Sequence, residues 1–343
     1  MANCNKLFLD FNNDLRPDKK KRDRISTSRE ELRRKIRSYF IENHPDYTPY
    51  FWIQGSANQR INTVILYKDN TCDLDDGIYF FGEIAVSAKT LQGWVKDAVE
   101  GVTKIDPIHK RKCIRVIYQD DYHIDLPVYN KLDKADQTEI PNLADKNDGF
   151  SESDPKAFAE WFHEQKDDDR QLVRIVKYLK DWGDNIRNKM PTGLALTLLA
   201  VECFSENERD DIALNDTLKK IKDKLDNSWV LTMPTSPYDD LFSSYDDDKK
   251  KYIIDKLSGF ISDAKSALDE PNQLKASKLW QKHLGDRFPN GKDEDVEAKE
   301  KALLEKASIL ASTPYVKKDG EVTSNRNEGK LIPDTKNYGG KVY

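Results

Sequence analysis

Cysteine is scarce in this chain, and its cysteines are not grouped. Four are present, far apart and without a C-x-x-C pair: Cys4, Cys72, Cys113 and Cys203. This spacing fits neither a disulfide framework nor a zinc ribbon. No apolar run approaches the roughly 18 residues of a membrane-spanning helix, and the first residues lack the basic and apolar regions of a signal peptide. We therefore expect a soluble, cytoplasmic protein with no membrane partner.

An excess of positive charge is also absent. The 343 residues include 56 Lys and Arg against 61 Asp and Glu, which gives a net charge of −5. Because the field of such a molecule does not attract phosphate, nucleic-acid binding would require a local basic patch. Hydrophobic residues are 37% and charged residues 34% of the chain. This composition does not exclude the binding of small charged ligands that carry their own metal ion.

The length predicts about two domains at roughly 150 residues each. Residues 1–25 are polar and basic, and a helix is predicted from 28 to 43 with Thr27 or Ser28 as its N-cap. Residues 50–130 then carry short β-rich runs and one helix near 88–102. The β-rich runs are YFWIQ, INTVIL, GIYFF, CIRVIYQ and YHIDLPVY. This pattern indicates a mixed sheet with helices on one side.

The second half of the chain has a different pattern. Residues 131–153 are polar with Pro and Gly and predict a linker. Seven helices are predicted beyond it, at 154–164, 169–186, 193–206, 211–227, 248–268, 271–285 and 294–312. The fold class is therefore α+β, with a sheet domain over 1–145, which includes the N-terminal helix, and a helical domain over 150–312. A flexible tail is expected over 313–343, where apolar residues are few.

Three short segments carry residues suited to chemistry. Gln54-Gly55-Ser56 follows the strand-like run YFWI. Glycine lets the backbone approach a ligand, and a serine beside exposed N–H groups can hold a phosphate. Taken alone, a Gly-Ser dipeptide is more often an ordinary turn.

Two acidic segments follow. If Asp73 to Asp75 is extended, both carboxylates lie on one face and offer oxygen ligands for divalent cations. The alternative is a solvated turn before GIYFF. Asp125 lies in the apolar run YHIDLPVY, where burying a lone carboxylate is costly unless it is paired or binds a metal ion. The alternative there is an edge-strand Asp beside Pro127.

The order of these segments is more specific than any one of them. A strand ending in Gly-Ser, a D-x-D on a later strand and a third Asp about fifty residues on are the arrangement used for nucleotidyl transfer. In that reaction, two metal ions held by three carboxylates bind the triphosphate and polarise the attacking hydroxyl.

With these residues the sequence resembles the bacterial cyclic GMP-AMP synthase-like nucleotidyltransferases, the CD-NTases, and within them the group similar to the Vibrio dinucleotide cyclase. The resemblance covers about residues 28–312. It rests on Phe51 to Ser56, Asp73 to Tyr79 and His123 to Tyr129, and on softer segments at Ser153 to Lys156, Trp161-Phe162 and Tyr178 to Trp182. It implies a polymerase-β-like catalytic domain packed against a helical domain, with two nucleotides in the cleft.

The resemblance also implies roles for individual residues. Asp73, Asp75 and Asp125 would be the catalytic residues and would bind two Mg²⁺ or Mn²⁺ ions. Five residues would contact nucleotide: Gln54, Gly55 and Ser56 at the donor, Arg115 at the acceptor, and Lys180 at the triphosphate. For Arg115 and Lys180 the alternative is an ordinary surface charge.

Two positions depart from the family pattern. Gln59 replaces an aromatic residue that relatives carry three positions past the serine, so base stacking would come from elsewhere, with Tyr238 and Tyr245 as candidates. A phosphate-contacting hydroxyl in relatives aligns near Gly193, which has none, and Thr192 could substitute for it. His123 is interpreted as a packed strand histidine.

The sequence thus predicts a metal-dependent nucleotidyltransferase that makes a cyclic di- or trinucleotide from ATP, GTP or both in anti-phage signalling. One alternative is a nucleotidyltransferase that modifies a protein, an RNA end or a small alcohol without cyclisation. Another is a catalytically silent nucleotide-binding protein. No direct nucleic-acid activator is expected, because acidic residues outnumber basic ones and the sequence lacks a Cys/His cluster. The terminal segment, Tyr338 to Tyr343, could engage a ubiquitin-transfer-like partner protein.

Overall fold

The computed structural model describes residues 2–119, 121–311, 315–323 and 325–331. Its helices are α1 (Asn5–Asp14), α2 (Lys19–Asn43), α3 (Ala88–Val99), α4 (Pro155–Glu164), α5 (Gln171–Ile186), α6 (Gly193–Cys203), α7 (Asp210–Asn227), α8 (Asp247–Asp269), α9 (Gln273–Leu284) and α10 (Val296–Ala311). Its strands are β1 (Tyr50–Gln54), β2 (Asp73–Phe81), β3 (Ile108–His109), β4 (Cys113–Tyr118), β5 (Tyr122–Lys131), β6 (Asn142–Asp145), β7 (Gly149–Glu152), β8 (Tyr315–Val316), β9 (Val322–Thr323) and β10 (Lys330–Leu331). No described helix has the length and apolar character needed to cross a membrane.

A seven-stranded mixed sheet forms the first half of the molecule. Its main path is β1-β2-β5-β4-β3, and the hairpin β6–β7 extends from the end of β5. The central strands β2 and β5 are parallel, whereas the other pairs are antiparallel. In the parallel pair Asp75 is aligned with Asp125, and Asp73 with His123. The predicted mixed sheet and α+β class are confirmed.

Helices α2 and α3 cover one face of this sheet. Leu32, Ile36 and Phe40 of α2 are fully buried against it. The helix is also fixed by a buried ion pair, in which the Arg33 guanidinium donates to both oxygens of Asp76 at 2.7 and 2.5 Å. Asp76 is 0% exposed. Because strand side chains alternate, the opposite face of β2 is left to Asp73 and Asp75.

Helices α4–α9 form a second core, and α1 belongs to it. The Phe8 ring lies 5.1 Å from that of Tyr178 and 4.8 Å from that of Phe288, centroid to centroid. Leu7 and Phe11 are buried in the same cluster. No helix was predicted within residues 1–25, which the sequence shows only as polar and basic, yet α1 lies there. The spacing of the buried residues Leu7, Phe8 and Phe11 is a helical pattern that the surrounding polar residues obscure.

Other boundaries also differ from the prediction. Helix α2 starts nine residues earlier than predicted, at Lys19, because Asp18 caps it by accepting from the Lys21 N–H at 2.6 Å. The run INTVIL is not a strand: Ile61 and Ile65 pack into the helical core instead. The predicted linker contains the hairpin β6–β7. Within the expected tail, β8, β9 and β10 form a small sheet, whereas the terminal segment Tyr338 to Tyr343 lies outside the described residues.

Candidate active site

Three acids meet on the face of the sheet that is turned toward the helical domain. Asp73 and Asp75 alternate along β2, and Asp125 lies beside Asp75 on β5. Neighbouring strands are about 4.8 Å apart, so the two aligned carboxylates are close neighbours. The sequence-predicted trio is thus brought together by the register of one parallel strand pair.

The environment of Asp75 disfavours its charge. Burial, together with the nearby charges of Asp125 and Asp73, raises the pKa of this carboxyl to about 7. Gly55 approaches the same group with a left-handed φ of +61°, and a Cβ at this position would overlap the Asp75 carboxylate. The contact between Gly55 and Asp75 therefore requires glycine.

Arg115 of β4 pairs with Asp125. Its Nε and Nη2 donate to the two carboxylate oxygens at 2.7 Å each, and Nη2 lies 3.5 Å from Asp73 Oδ2. The Lys110 ammonium is 3.8 Å from Asp125. Cations of the chain itself therefore occupy the Asp125 end of the site.

Asp73 is held from two sides. His123 Nδ1 lies 3.0 Å from Oδ1, and the Tyr67 hydroxyl donates to Oδ2 at 3.2 Å. His123 is thus more than a packed strand residue, since its ring contacts a predicted metal ligand. The residue pattern contained no signal for Tyr67, which lies in an irregular segment between β1 and β2.

A serine after β1 and a lysine of α5 line the cleft between the sheet and the helical domain. Ser56 lies in the short 3₁₀ turn Gly55–Ala57 after β1. Lys180 of α5 donates to Thr63 Oγ1 at 3.0 Å and approaches the Thr63 carbonyl at 3.3 Å. Burial lowers the pKa of Lys180 to about 8, while Asp75 acts in the opposite direction. Ser56 and Lys180 line the same cavity.

The main cavity of the cleft has a volume of about 640 Å³. It begins at Gly55, Ser56, Asp75 and Lys180, and ends among residues at and after the end of β7 and in the segment after α7. These include Glu152, Ser153, Asp154, Met233, Thr235 and Ser236. Gln54 also lines it, and its Nε2 donates to the Tyr129 hydroxyl at 2.9 Å. A smaller cavity of about 270 Å³ continues past Ser56 and Lys180 toward Asp73 and Tyr67.

Three predicted contacts are placed elsewhere. The Thr192 hydroxyl caps α6 by accepting from the Ala195 N–H at 3.2 Å, so it does not point into the main cavity. Tyr245 is buried, and packs on Phe242 with 4.9 Å between the ring centroids. Tyr238 is 64% exposed and lies outside the lining of the main cavity. Tyr245 is thus packed inside the helical core, whereas Tyr238 lies exposed between Pro237 and Asp239, which do line the cavity.

The donor set suits a hard divalent cation. Asp73, Asp75 and Asp125 supply only carboxylate oxygens, which Mg²⁺ prefers. The pKa of Asp75 is raised first by burial and then by the charges of Asp125 and Asp73, and a bound cation would offset the repulsion among these carboxylates. Among the described residues, however, no three His, Cys, Asp or Glu side chains already converge as a metal site. The residues fit the ion chemically, once Arg115 releases Asp125.

Comparison with known proteins identifies relatives of both halves. Family models match at residues 49–129, for the nucleotidyltransferase domain of DncV-like cyclic GMP-AMP synthases, and at residues 169–296, for the cyclic GMP-AMP synthase C-terminal domain. A cyclic GMP-AMP synthase of Escherichia albertii is 27% identical over 199 residues, 54% of this chain and 44% of that protein. A cyclic AMP-AMP-AMP synthase of an Acinetobacter strain is 28% identical over 179 residues, 46% of this chain and 52% of that protein. The chain matches about half the length of these two relatives.

Solved structures show the same fold. The cyclic AMP-GMP synthase DncV of Vibrio cholerae superposes with a TM-score of 0.71 at 16% identity, covering 84% of this chain and 98% of that one. DncV of Escherichia coli in its 3′-deoxy GTP-bound form gives a TM-score of 0.69 at 18% identity, covering 80% and 93%. The sheet domain and the helical domain are therefore arranged as in these enzymes.

Proposed function

The chain belongs to the DncV-like family of cyclic GMP-AMP synthases, and from this premise we propose that it is a metal-dependent nucleotidyltransferase that joins nucleoside triphosphates into a cyclic oligonucleotide. The observation that carries the proposal is the shared cavity. Ser56, Asp75 and Lys180 line one cavity, although they come from three segments of the chain and from both domains. A triphosphate would place its phosphates among these groups.

A divalent cation would be held by Asp73, Asp75 and Asp125, where Mg²⁺ or Mn²⁺ would neutralise the leaving pyrophosphate and lower the pKa of the attacking ribose hydroxyl. The chain's own residues supply the rest. The Ser56 hydroxyl and adjacent backbone N–H groups would bind phosphate oxygens. Lys180 would add a positive charge from the helical side.

Arg115 would change partner during this process. Its guanidinium donates to both oxygens of Asp125, and its positive charge stands where a metal ion bound to Asp125 would lie. A divalent ion at Asp125 would release Arg115, whose planar fork of donors suits phosphate. The freed side chain would then be available to the acceptor nucleotide.

Purine nucleotides are the proposed substrates. The relatives described above are named for GMP and AMP products, and structures of DncV contain ATP and GTP. A cavity of about 640 Å³ falls in the range of small-molecule sites, which hold roughly 300–1,000 Å³. Following the family, we place the product in bacterial anti-phage signalling, with the C-terminal segment as a site for a ubiquitin-transfer-like partner.

Product analysis tests the proposal. The purified protein is incubated with labelled ATP, GTP, CTP and UTP and Mg²⁺ or Mn²⁺, treated with phosphatase, and the protected product is identified by mass. We expect a cyclic product from the wild type and from Asp168→Asn, a control in which an exposed surface acid is changed. We expect none from Asp75→Asn.

Two results would contradict the proposal. A labelled protein, or a linear product left unprotected, would indicate nucleotidyl transfer without cyclisation. Full activity of Asp75→Asn would remove the three-acid site from the mechanism.

A further inference from the structure

We propose that Tyr67 is a positioning residue for Asp73, and that Arg287 of the helical domain holds Tyr67 in place. The inference rests on the proposed role of Asp73 as a metal ligand. It extends the site beyond the catalytic sheet to a side chain more than two hundred residues away in sequence.

The first contact fixes the Asp73 carboxylate. The Tyr67 hydroxyl donates to Oδ2 at 3.2 Å, and His123 Nδ1 lies 3.0 Å from Oδ1. Partners on opposite oxygens restrict rotation of the carboxylate. Groups that hold a metal ligand in this way orient it for the ion, and their loss commonly weakens metal binding by roughly 10–100-fold.

The two partners of Asp73 are supported differently. His123 lies on β5, aligned with Asp73 across the parallel strand pair, so the sheet itself fixes it. Tyr67 lies in the irregular segment between the 3₁₀ turn and β2, which has no strand partner. Tyr67 is held in part by its own turn, in which its N–H donates to the Thr71 carbonyl at 2.8 Å, and in part by contacts made to this segment by other elements.

Arg287 supplies the most direct of these contacts. Its Nη1 donates to the Leu66 carbonyl at 2.6 Å, and its Nη2 donates to the Tyr67 carbonyl at 2.8 Å. The guanidinium thus donates hydrogen bonds to two consecutive peptide carbonyls. Asp181 of α5 lies 3.7 Å from Nη1.

The backbone at Arg287 is fixed by the residue that follows it. The next residue, Phe288, is fully buried against Phe8 and Phe11 in the helical core. Movement of this core would be transmitted through the guanidinium to Tyr67 and from there to Asp73. The geometry therefore couples metal affinity to the placement of the helical domain.

Binding of Mn²⁺ to the intact protein tests this relay without turnover. Free Mn²⁺ is measured by electron paramagnetic resonance during titration of the wild type, Tyr67→Phe and Arg287→Lys. Tyr67→Phe removes only the hydroxyl, and Arg287→Lys keeps the charge but loses the fork. We expect about 10-fold weaker Mn²⁺ binding in both, the magnitude usual for a lost partner of a metal ligand. The melting temperature of Tyr67→Phe should stay within about a degree of wild type.

Tyr122→Phe is the matched control, because its hydroxyl bonds to Ser28 at 2.8 Å, on the side of the sheet covered by α2. It should bind Mn²⁺ as the wild type does. In activity assays, the half-saturating Mn²⁺ concentration should rise in Tyr67→Phe by the same factor as the dissociation constant. The KM for nucleotide at saturating Mn²⁺ should change less than about twofold, since the phenol is a partner of the metal ligand rather than of the nucleotide.

Unchanged Mn²⁺ binding by folded Tyr67→Phe would overturn the inference, as would an equal loss in Tyr122→Phe. A wild-type protein that binds no Mn²⁺ would overturn it as well, since no bound ion would need positioning. If the wild type binds Mn²⁺ but forms no product, the proposed function fails. The ratio of the Mn²⁺ dissociation constants of Tyr67→Phe and wild type still decides the role of Tyr67.

Discussion

Replacing Arg33 by methionine tests the contact that joins α2 to the strand carrying Asp73 and Asp75. Methionine keeps much of the aliphatic stem but removes the charge, and so leaves Asp76, which is 0% exposed, without its cation. Breaking a buried pair in this way costs about 3–5 kcal/mol. That is a large fraction of the roughly 5–15 kcal/mol by which folded proteins are stable.

A double-mutant cycle isolates the pair. In an Asp76→Asn background the same Arg33→Met change should cost only about 1 kcal/mol, because a neutral amide demands less compensation than a charge. Urea unfolding of the four proteins gives the coupling free energy. The control is Lys6→Met, which breaks the exposed Lys6–Asp10 pair and should cost less than about 1 kcal/mol.

The pH dependence gives a second check. Burial already raises the pKa of Asp76, and the hydrogen bonds from Arg33 oppose this effect. Without Arg33 the pKa rises further, so the folded variant keeps a proton that the unfolded chain has lost. Its deficit relative to wild type should shrink from pH 8 to pH 5. A deficit no larger than that of Lys6→Met, or one independent of pH, would refute the reasoning.

Further predictions concern the cleft and the helical domain. Gly55→Ala should lower product formation by roughly 100-fold, the effect of displacing a reacting group by about 1 Å, whereas Gly101→Ala, also at positive φ but with open space at its Cβ position, should keep full activity. Lys180→Ala should lower kcat/KM by a factor that corresponds to about 1.5–3 kcal/mol of lost transition-state stabilisation, because a charged hydrogen bond to phosphate is lost. Steady-state kinetics measure this effect, and an equal effect of the exposed control Lys189→Ala would contradict the prediction. Burial raises the pKa of Asp181 to about 7, so ionising it destabilises the fold as pH rises from about 4 to 7. The stability of Asp181→Asn relative to wild type should therefore be higher at pH 8 than at pH 5, and urea unfolding that showed an equal difference at both values would count against the raised pKa.

The sequence predicted the arrangement of the acids well, because it depends on local rules. Side-chain alternation places Asp73 and Asp75 on one face, and a buried β5 explains why Asp125 needs partners. The helices α4 to α9 also lie within a few residues of their predicted bounds, since their apolar periodicity is strong.

What the sequence did not predict depends on contacts between distant segments. Tyr67 and Arg287 carry no pattern of their own, and their significance arises only when the two domains meet. The same holds for the ion pair between Arg33 and Asp76, which forms only where α2 packs on β2. The Thr192 hydroxyl was a reasonable phosphate ligand by position, but the helix terminus uses it as a cap.

The membership of α1 in the helical core has a consequence for synthesis of the protein. Phe8 and Phe11 leave the ribosome long before Phe288, against which they pack and which is among the last residues of that core to appear. The whole catalytic sheet is made in between. Until α5 and the later helices are made, the apolar face of α1 has no permanent partner, and nascent chains with such faces are prone to aggregate. We therefore expect the yield of folded protein to depend on chaperones that hold this helix until translation reaches α9 and the segment beyond it.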